Sequence, residues 1–276
     1  MIFRKLQRKT VAVDLDQTLA HTLEAMVLWH NQVYNTSYTL ADFNTYDFHK
    51  VWGGSVQDTH AKVREFYESS HFEQIQPIHD FALEALKMLK KRKFTLVIIT
   101  SRQQFIAEET KKFVDKHYPG IFESIYFCNL GLSDAEQLEY VSKPKSAICQ
   151  EIGVDVLIDD NLDHAVDCAG LEDIEVLLYD RKGQYRWNHT SISSSGSKGI
   201  SSWKEIIAFF PKPHSPLRNC YYPQDLASAG AYRDNDDDDD GDEDEHYGYE
   251  HHHDIEYETI EVEHMDMSDE EETVWV

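Results

Sequence analysis

Val11-Ala12-Val13-Asp14-Leu15-Asp16-Gln17-Thr18-Leu19 is the stretch on which the reading of this 276-residue chain turns. Thr10 to Val13 is a short, apolar, β-branched run of the kind that forms a buried strand of a parallel sheet. It leads straight into two carboxylates two positions apart, with a threonine behind them. Ligands of open α/β sheets bind just beyond the carboxyl ends of the strands, so Asp14 and Asp16 stand where a ligand would be met. An aspartate held there beside a hard cation can attack phosphorus and carry the phosphoryl group, dividing one hard displacement into two easier ones. The second carboxylate can protonate the leaving oxygen and later deprotonate the water that frees phosphate. An Asp-x-Asp pair alone also fits a solvated turn or a plain cation ligand, so the rest of the chain has to decide.

Three further segments do. A second apolar strand, Phe94 to Ile99, ends in Thr100-Ser101-Arg102, which puts a hydroxyl at the same kind of edge to hold a phosphoryl oxygen. Arg102 is a candidate phosphate or sugar contact, or else a salt bridge to a carboxylate above the site. A third strand, Val154 to Ile158, ends in Asp159-Asp160-Asn161 and supplies carboxylates for magnesium, which takes a few oxygen ligands and keeps waters. Lys143-Pro144-Lys145-Ser146 opens a helix that runs to Glu151, and a lysine there can neutralise charge on a transferring phosphoryl group.

Asp-x-Asp-x-Thr, strand-Thr, Lys and strand-Asp-Asp, in that order, resemble the haloacid dehalogenase superfamily of phosphohydrolases. Ile75-Gln76-Pro77-Ile78 with a helix Ala82 to Leu89, the segment Ile148 to Asp160, the closing strand Val176 to Asp180, Asn188 and Ser202 to Ile206 are similar to the 5′(3′)-deoxyribonucleotidase group. The likeness runs over residues 8 to 210. It implies an α/β fold, a Rossmann-like parallel sheet, and a magnesium-dependent phosphatase acting on a small phosphorylated metabolite, with a nucleoside 5′-monophosphate as the leading substrate. By the same resemblance Asp14 is the nucleophile and Asp16 the acid/base, the latter also offering its backbone carbonyl to the metal. Thr100 binds phosphate, with Ser101 beside it, Asp160 completes the Mg2+ site, and Asp159 is a ligand through water or a partner that orients the ligands. Lys145 is preferred over Lys143 as the catalytic lysine.

About seventy residues separate the first motif from the second, too many for an unstructured loop in a compact domain. A small helical cap inserted at about residues 21–76 is expected. Leu23, Met26, Val27 and Val33 recur at helical spacing within Thr22 to Tyr34, and a second helical pattern covers Val56 to Tyr67. Phe43, Tyr46, Phe48 and Trp52 cluster between them, and Phe43 and Trp52 are candidates for stacking on a nucleobase, the alternative being the cap's own packing. Gly53-Gly54 reads as a turn or a close backbone approach.

Charge divides the chain. Residues 214–276 hold twenty-two acidic and two basic side chains, the remainder twenty-nine and twenty-four, so most of the net charge of −25 belongs to the carboxyl-terminal segment. Asp236 to Asp240, Asp242 to Glu245 and Asp269 to Glu272 repel one another and bury little, which predicts a disordered acidic tail after a phosphatase domain of residues 1–213. Such a tail offers a surface to a basic protein. Its His251-His252-His253 tract could meet a transition metal but gives no fixed geometry, the terminal Val274-Trp275-Val276 has the form that can add as a strand to a peptide-binding sheet edge, and serine-rich Thr190 to Ser202 reads as a linker before a last helix, Trp203 to Phe210. A chain this acidic, without a basic patch, excludes ordinary nucleic-acid binding. Four cysteines without paired spacing suit a reducing compartment. With no signal peptide and no stretch of spanning length, a cytoplasmic protein without membrane contact is expected, nuclear entry being left open.

Overall fold

The computed structural model describes residues 9–171, 174–188 and 199–210. Strands β1 (Thr10–Val13), β2 (Thr95–Thr100), β3 (Ser124–Phe127), β4 (Val156–Asp159) and β5 (Glu175–Leu178) form one parallel sheet in the order β3-β2-β1-β4-β5. Each return is made through helix: α5 (Ala82–Lys91) before β2, α6 (Ala107–His117) before β3, α7 (Lys145–Glu151) before β4 and α8 (Leu162–Ala169) before β5. The central strands are buried along nearly their whole length, as a sheet covered on both faces requires. Alternation then divides them between two cores. Val11, Val13, Ile98 and Ile158 pack with Ala85, Leu86 and Leu89 of α5, whereas Ala12, Val97, Ile99 and Leu157 face Ile148 and Cys149 of α7 and Cys168 of α8. This is the expected α/β, Rossmann-like core.

Register decides where the chemistry lies. Val13 pairs with Ile98 on one side and Ile158 on the other, so Asp14 and Asp159 emerge side by side at the carboxyl edge. The loop after β1 is fixed by three aromatic donors distant in sequence. Trp203 Nε1 donates to the Thr18 carbonyl at 3.2 Å, Tyr185 Oη to that of Gln17 at 2.6 Å and Tyr118 Oη to that of Leu19 at 2.7 Å. Each satisfies a backbone oxygen that a tight turn would otherwise leave unpaired. Trp203 opens the last helix, α9 (Trp203–Ala208), which is capped by Ser202 and ends two residues before the expected Phe210.

Between this loop and α5 lies the cap: α1 (Thr22–Tyr34), α2 (His49–Trp52), α3 (Val56–Tyr67) and α4 (Ser70–Glu73). The chain leaves and returns through one paired crossing, His21 N–H to the Gln76 carbonyl at 2.9 Å and Ile78 N–H to that of Leu19 at 2.8 Å. Ser55 and Asp58 make a capping box at the start of α3, and Asn35 closes α1 in the left-handed conformation that asparagine tolerates.

Of the two readings open for Phe43 and Trp52, the cap's core favours packing. Phe43 is fully buried with Leu23 and Val27 and meets the rings of Phe48 and Trp52 edge-on, while Trp52 stacks on His30 at 4.7 Å; neither Phe43 nor Trp52 lines the active-site cavity. Met26, Trp29, Phe66 and Phe72 of the cap bury into the main core, whereas Leu23, Val27 and Phe43 make a small cluster of their own in which the aromatics pack on one another. Val33, counted on the apolar stripe of α1, is 53% exposed.

His30 is 2% exposed between Tyr34 and Trp52, and its Nδ1 shares a 2.9 Å hydrogen bond with Thr36. Burial, with the Lys62 ammonium nearby, pushes its imidazole down to about 4. The unfolded chain then binds a proton that the folded chain refuses between that value and the ordinary 6.5, so this contribution is complete above pH 6.5 and is lost as pH falls towards 4. The stability difference between wild type and His30→Gln is expected to shrink by roughly 2–3 kcal/mol from pH 7 to pH 4.5 in urea titrations.

The acidic tail, the His251 tract and most of the serine-rich linker lie outside the described residues. Among the described residues no helix is long and apolar enough to cross a membrane.

Candidate active site

Asp14 follows β1, Asp159 closes β4 and Asp160 comes next. Carboxylate oxygens of all three, each residue buried, lie within 4.8 Å of one another. Lys145, the first residue of α7, reaches between two of them: its Nζ donates to Asp14 Oδ1 and, at 2.5 Å, to Asp159 Oδ2. It is 2% exposed. The Lys143 N–H is bonded to the Cys128 carbonyl at the end of β3, and Pro144 is extended before the helix begins. That geometry aims Lys145 at the sheet edge, while Lys143 pairs with Glu151 at 3.1 Å on the surface.

One ammonium does not balance three carboxylates. Burial pushes the Asp14 carboxyl up to about 6 against the pull of Lys145, with Asp159 and Asp16 adding to the rise. Asp160 is driven well above the carboxylate range by burial and by Asp14 and Asp159. Burial also opposes ionisation of Asp159, but Lys145 and His164 outweigh it and hold the carboxyl at about 2. Lys145 stays charged despite its burial because both aspartates face it. A buried, oxygen-only donor set with excess negative charge suits a hard dication such as magnesium.

Asp16 faces elsewhere. Arg102 Nη2 donates to its Oδ1 at 2.7 Å and Nε to both oxygens at 3.1 Å, and Thr22 Oγ1 donates to Oδ1 at 2.5 Å. Burial would raise this carboxyl, but the guanidinium and the hydroxyl hold it below its ordinary value. The Asp16 carboxylate is therefore outside the cluster that could bind a cation. Arg102 lines the cavity, but its guanidinium is committed to Asp16, Thr22 and Thr110, not left open for a phosphate or sugar. Thr100 is fully buried, its Oγ1 accepting the Arg102 N–H at 3.2 Å; Ser101 lines the cavity and Thr100 does not, because its hydroxyl closes the turn after β2.

The cavity between cap and sheet edge has a volume of about 430 Å³. The cap contributes Tyr46, Phe48, Thr59 and Tyr67, and the core adds Gln103 and His164. Tyr46 Oη donates to Asp160 Oδ2 at 2.5 Å, a contact across 114 positions, and burial beside Asp160 pushes its hydroxyl well above the usual range, so it remains a donor. Arg64 on α3 clasps the opposite loop, donating to Glu136 Oε2 at 2.6 Å and to the Gly131 carbonyl at 2.9 Å. No sequence signal separates Tyr46 from Phe43 and Trp52, since all belong to one aromatic cluster. The helical period of α3 places Thr59 and Val63 on one face, and that was the available sign that Thr59 looks towards the core.

Residues 8–130 match the family model described as 5′ nucleotidase, deoxy (Pyrimidine), cytosolic type C protein. No curated protein sequence matches the chain. Among solved structures, a predicted phosphatase from Clostridium acetobutylicum is 14% identical, with 73% of this chain and 97% of that one covered and a TM-score of 0.53. A predicted phosphoglycolate phosphatase from Haemophilus somnus 129Pt is likewise 14% identical, with 75% and 100% covered and a TM-score of 0.52. At these identities the likeness is one of fold.

Proposed function

We propose that this chain is a haloacid dehalogenase-like phosphohydrolase of 5′ nucleotidase type, a Mg2+-dependent phosphatase of nucleoside 5′-monophosphates working through an aspartyl-phosphate on Asp14, a reading supported by the match of residues 8–130 to the 5′ nucleotidase model. The observation that carries the reading is Lys145 bridging Asp14 and Asp159 beside Asp160, beneath a cap-covered cavity.

In this mechanism the Asp14 carboxylate attacks phosphorus, and the bond from phosphorus to the nucleoside oxygen breaks. Asp16, oriented by Arg102 and Thr22, is assigned the acid/base role: from its protonated form, which Arg102 disfavours in the resting site, it gives the departing oxygen its proton, and it regains one from the water that hydrolyses the acyl phosphate. Lys145 holds Asp14 in line and offsets charge on the phosphoryl oxygens. Ser101, on the turn after β2, lines the cavity and is the hydroxyl assigned to those oxygens, while Thr100 holds that turn from beneath. Asp14 and Asp160, with the Asp16 backbone carbonyl and with Asp159 as a ligand through water or a partner that orients the ligands, would hold Mg2+, which would supply positive charge against the phosphate dianion. The cap keeps bulk water from the intermediate. Cysteines without paired spacing suit a reducing compartment, and the cytoplasm is the location proposed, with the nucleus left open.

Phosphate release from a panel of nucleoside monophosphates and sugar phosphates, with and without Mg2+, tests the reading. Turnover of a nucleotide that EDTA abolishes and Mg2+ restores supports it, and turnover of sugar phosphates alone overturns the substrate assignment.

Tyr46 gives a separate prediction. A partner that orients a metal-binding carboxylate is commonly worth tenfold or more in metal affinity. Tyr46→Phe is expected to weaken Mg2+ binding by about tenfold in calorimetric titrations made without substrate.

A further inference from the structure

We propose that Gln103 and Thr59 form a recognition pair that reads the hydrogen-bonding edge of an uncharged heterocycle on the substrate, and that the cavity rejects a second anionic group. The inference rests on the phosphatase reading and deepens it.

Each arginine and lysine lining the cavity is already engaged. Arg102 is spent on Asp16, Lys145 on Asp14 and Asp159, and Arg64 on Glu136 and the Gly131 carbonyl. A substrate carrying a carboxylate or a second phosphate would have to break one of these pairs to find an arginine or lysine counter-ion. Four cavity-lining side chains keep a buried atom with no hydrogen-bond partner among the described residues: Gln17 Nε2, beside the loop after β1 and anchored through Oε1 to the Leu23 N–H, His164 Nδ1, 3.5 Å from Asp159 Oδ1, and the neutral oxygens of Gln103 and Thr59. Gln103 Oε1 and Thr59 Oγ1 are buried atoms of residues 6% and 7% exposed, both residues line the cavity, and neither atom has a hydrogen-bond partner among the described residues. Buried polar atoms are nearly always satisfied, and an exception at a cavity wall points to a ligand.

The amide of Gln103 is not free to turn. Its Nε2 donates to the Leu130 carbonyl, so the atom left over is the acceptor Oε1. The two groups approach from opposite walls, Thr59 on α3 of the cap and Gln103 on the turn after β2. Gly131 marks how closely those walls meet: a Cβ there would stand 3.3 Å from Nε2 of His60, the neighbour of Thr59, and 3.9 Å from Nε2 of Gln103. The rings of Phe48 and Tyr67 line the same cavity.

Complementarity follows from the chemistry of the pair. Gln103 Oε1 can only accept, so the substrate must bring an N–H or O–H; the Thr59 hydroxyl can donate or accept. A nucleobase presenting an N–H beside a ring acceptor meets both, and its flat face suits Phe48 and Tyr67. A ribose hydroxyl shares the donor chemistry without the flat face. A carboxylate, as in phosphoglycolate, would set acceptor against acceptor at Gln103 Oε1.

The test compares kcat/KM of the full-length protein with Mg2+ on nucleoside monophosphates, ribose 5-phosphate, phosphoglycolate and p-nitrophenyl phosphate. Wild type is expected to favour a nucleotide over ribose 5-phosphate and over phosphoglycolate by at least about tenfold. In Gln103→Leu and in the near-isosteric Thr59→Val, the ratio of kcat/KM for that nucleotide to that for p-nitrophenyl phosphate should fall by at least about tenfold, through KM, with melting temperatures near that of wild type. Ribose 5-phosphate equal to the nucleotide, or ratios unchanged in both folded variants, overturns the recognition pair and leaves the phosphatase reading standing. No hydrolysis of any compound, p-nitrophenyl phosphate included, overturns both.

Discussion

Asp14→Asn is expected to abolish turnover, with kcat falling by about four orders of magnitude or more, while the protein melts where the wild type does. An amide has no charge with which to attack phosphorus, and none of the residues around it offers a second nucleophile in the same place. The fold has little reason to notice. The amide oxygen of the new side chain can still accept from Lys145, the ring of contacts around β1 is unchanged, and the carboxyl it replaces is one that burial already pushes up to about 6. Removing one negative charge also relieves Asp159 and Asp160, which crowd the same few ångströms. Phosphate release and a thermal melt on the same preparation check both halves. Turnover within tenfold of wild type would place the nucleophile elsewhere, and a collapsed melting temperature would mean that Asp14 holds the fold together.

Lys145→Met has the opposite profile, losing stability and activity together. The ammonium is the shared partner of two buried carboxylates. Taking it away leaves two charges in a site from which water is largely excluded, a loss of about 3–5 kcal/mol. For a domain of this size that lowers the melting temperature on the order of 10 °C. The charge facing the phosphoryl oxygens goes as well, worth about 10²–10³ in kcat. Lys143→Ala is the control, because its partner Glu151 is 3.1 Å away in solvent and such pairs contribute at most about 1 kcal/mol. Differential scanning calorimetry of the two variants separates the lysines. Equal melting temperatures would mean that the bridge between Asp14 and Asp159 does not hold in solution.

How much of this was legible before folding depended on the range of the interaction involved. β1, β2 and β4 were readable because a strand buried on both faces must be apolar along its whole length, and the residues just after such a run are then at the sheet edge. Asp14, Thr100, Asp159 and Asp160 follow from that rule. β3, Ser124–Phe127, went unread because it is short and keeps only Ile125 and Tyr126 buried. α6 went unread because it is strongly polar and buries just Thr110 and Val114. The helices of the cap were legible from their period, but its aromatics were not sorted by it: Phe43 and Tyr46 are three positions apart, and one fills the cap's interior while the other touches Asp160.

The amino-acid sequence by itself determined the class of fold, the order of the motifs and the strand ends at which carboxylates, hydroxyls and a lysine would gather, because these depend on hydrophobicity and spacing within a dozen residues. Only the tertiary structure decided that Lys145 and not Lys143 enters the site, that Arg102 closes on Asp16, that Thr100 turns away from the cavity, and that Gln103 and Thr59 each line it with an oxygen that has no hydrogen-bond partner among the described residues. Those choices are made by side-chain directions across 14 to 131 positions of chain, and a direction at that range is set by packing against elements that no local pattern brings together.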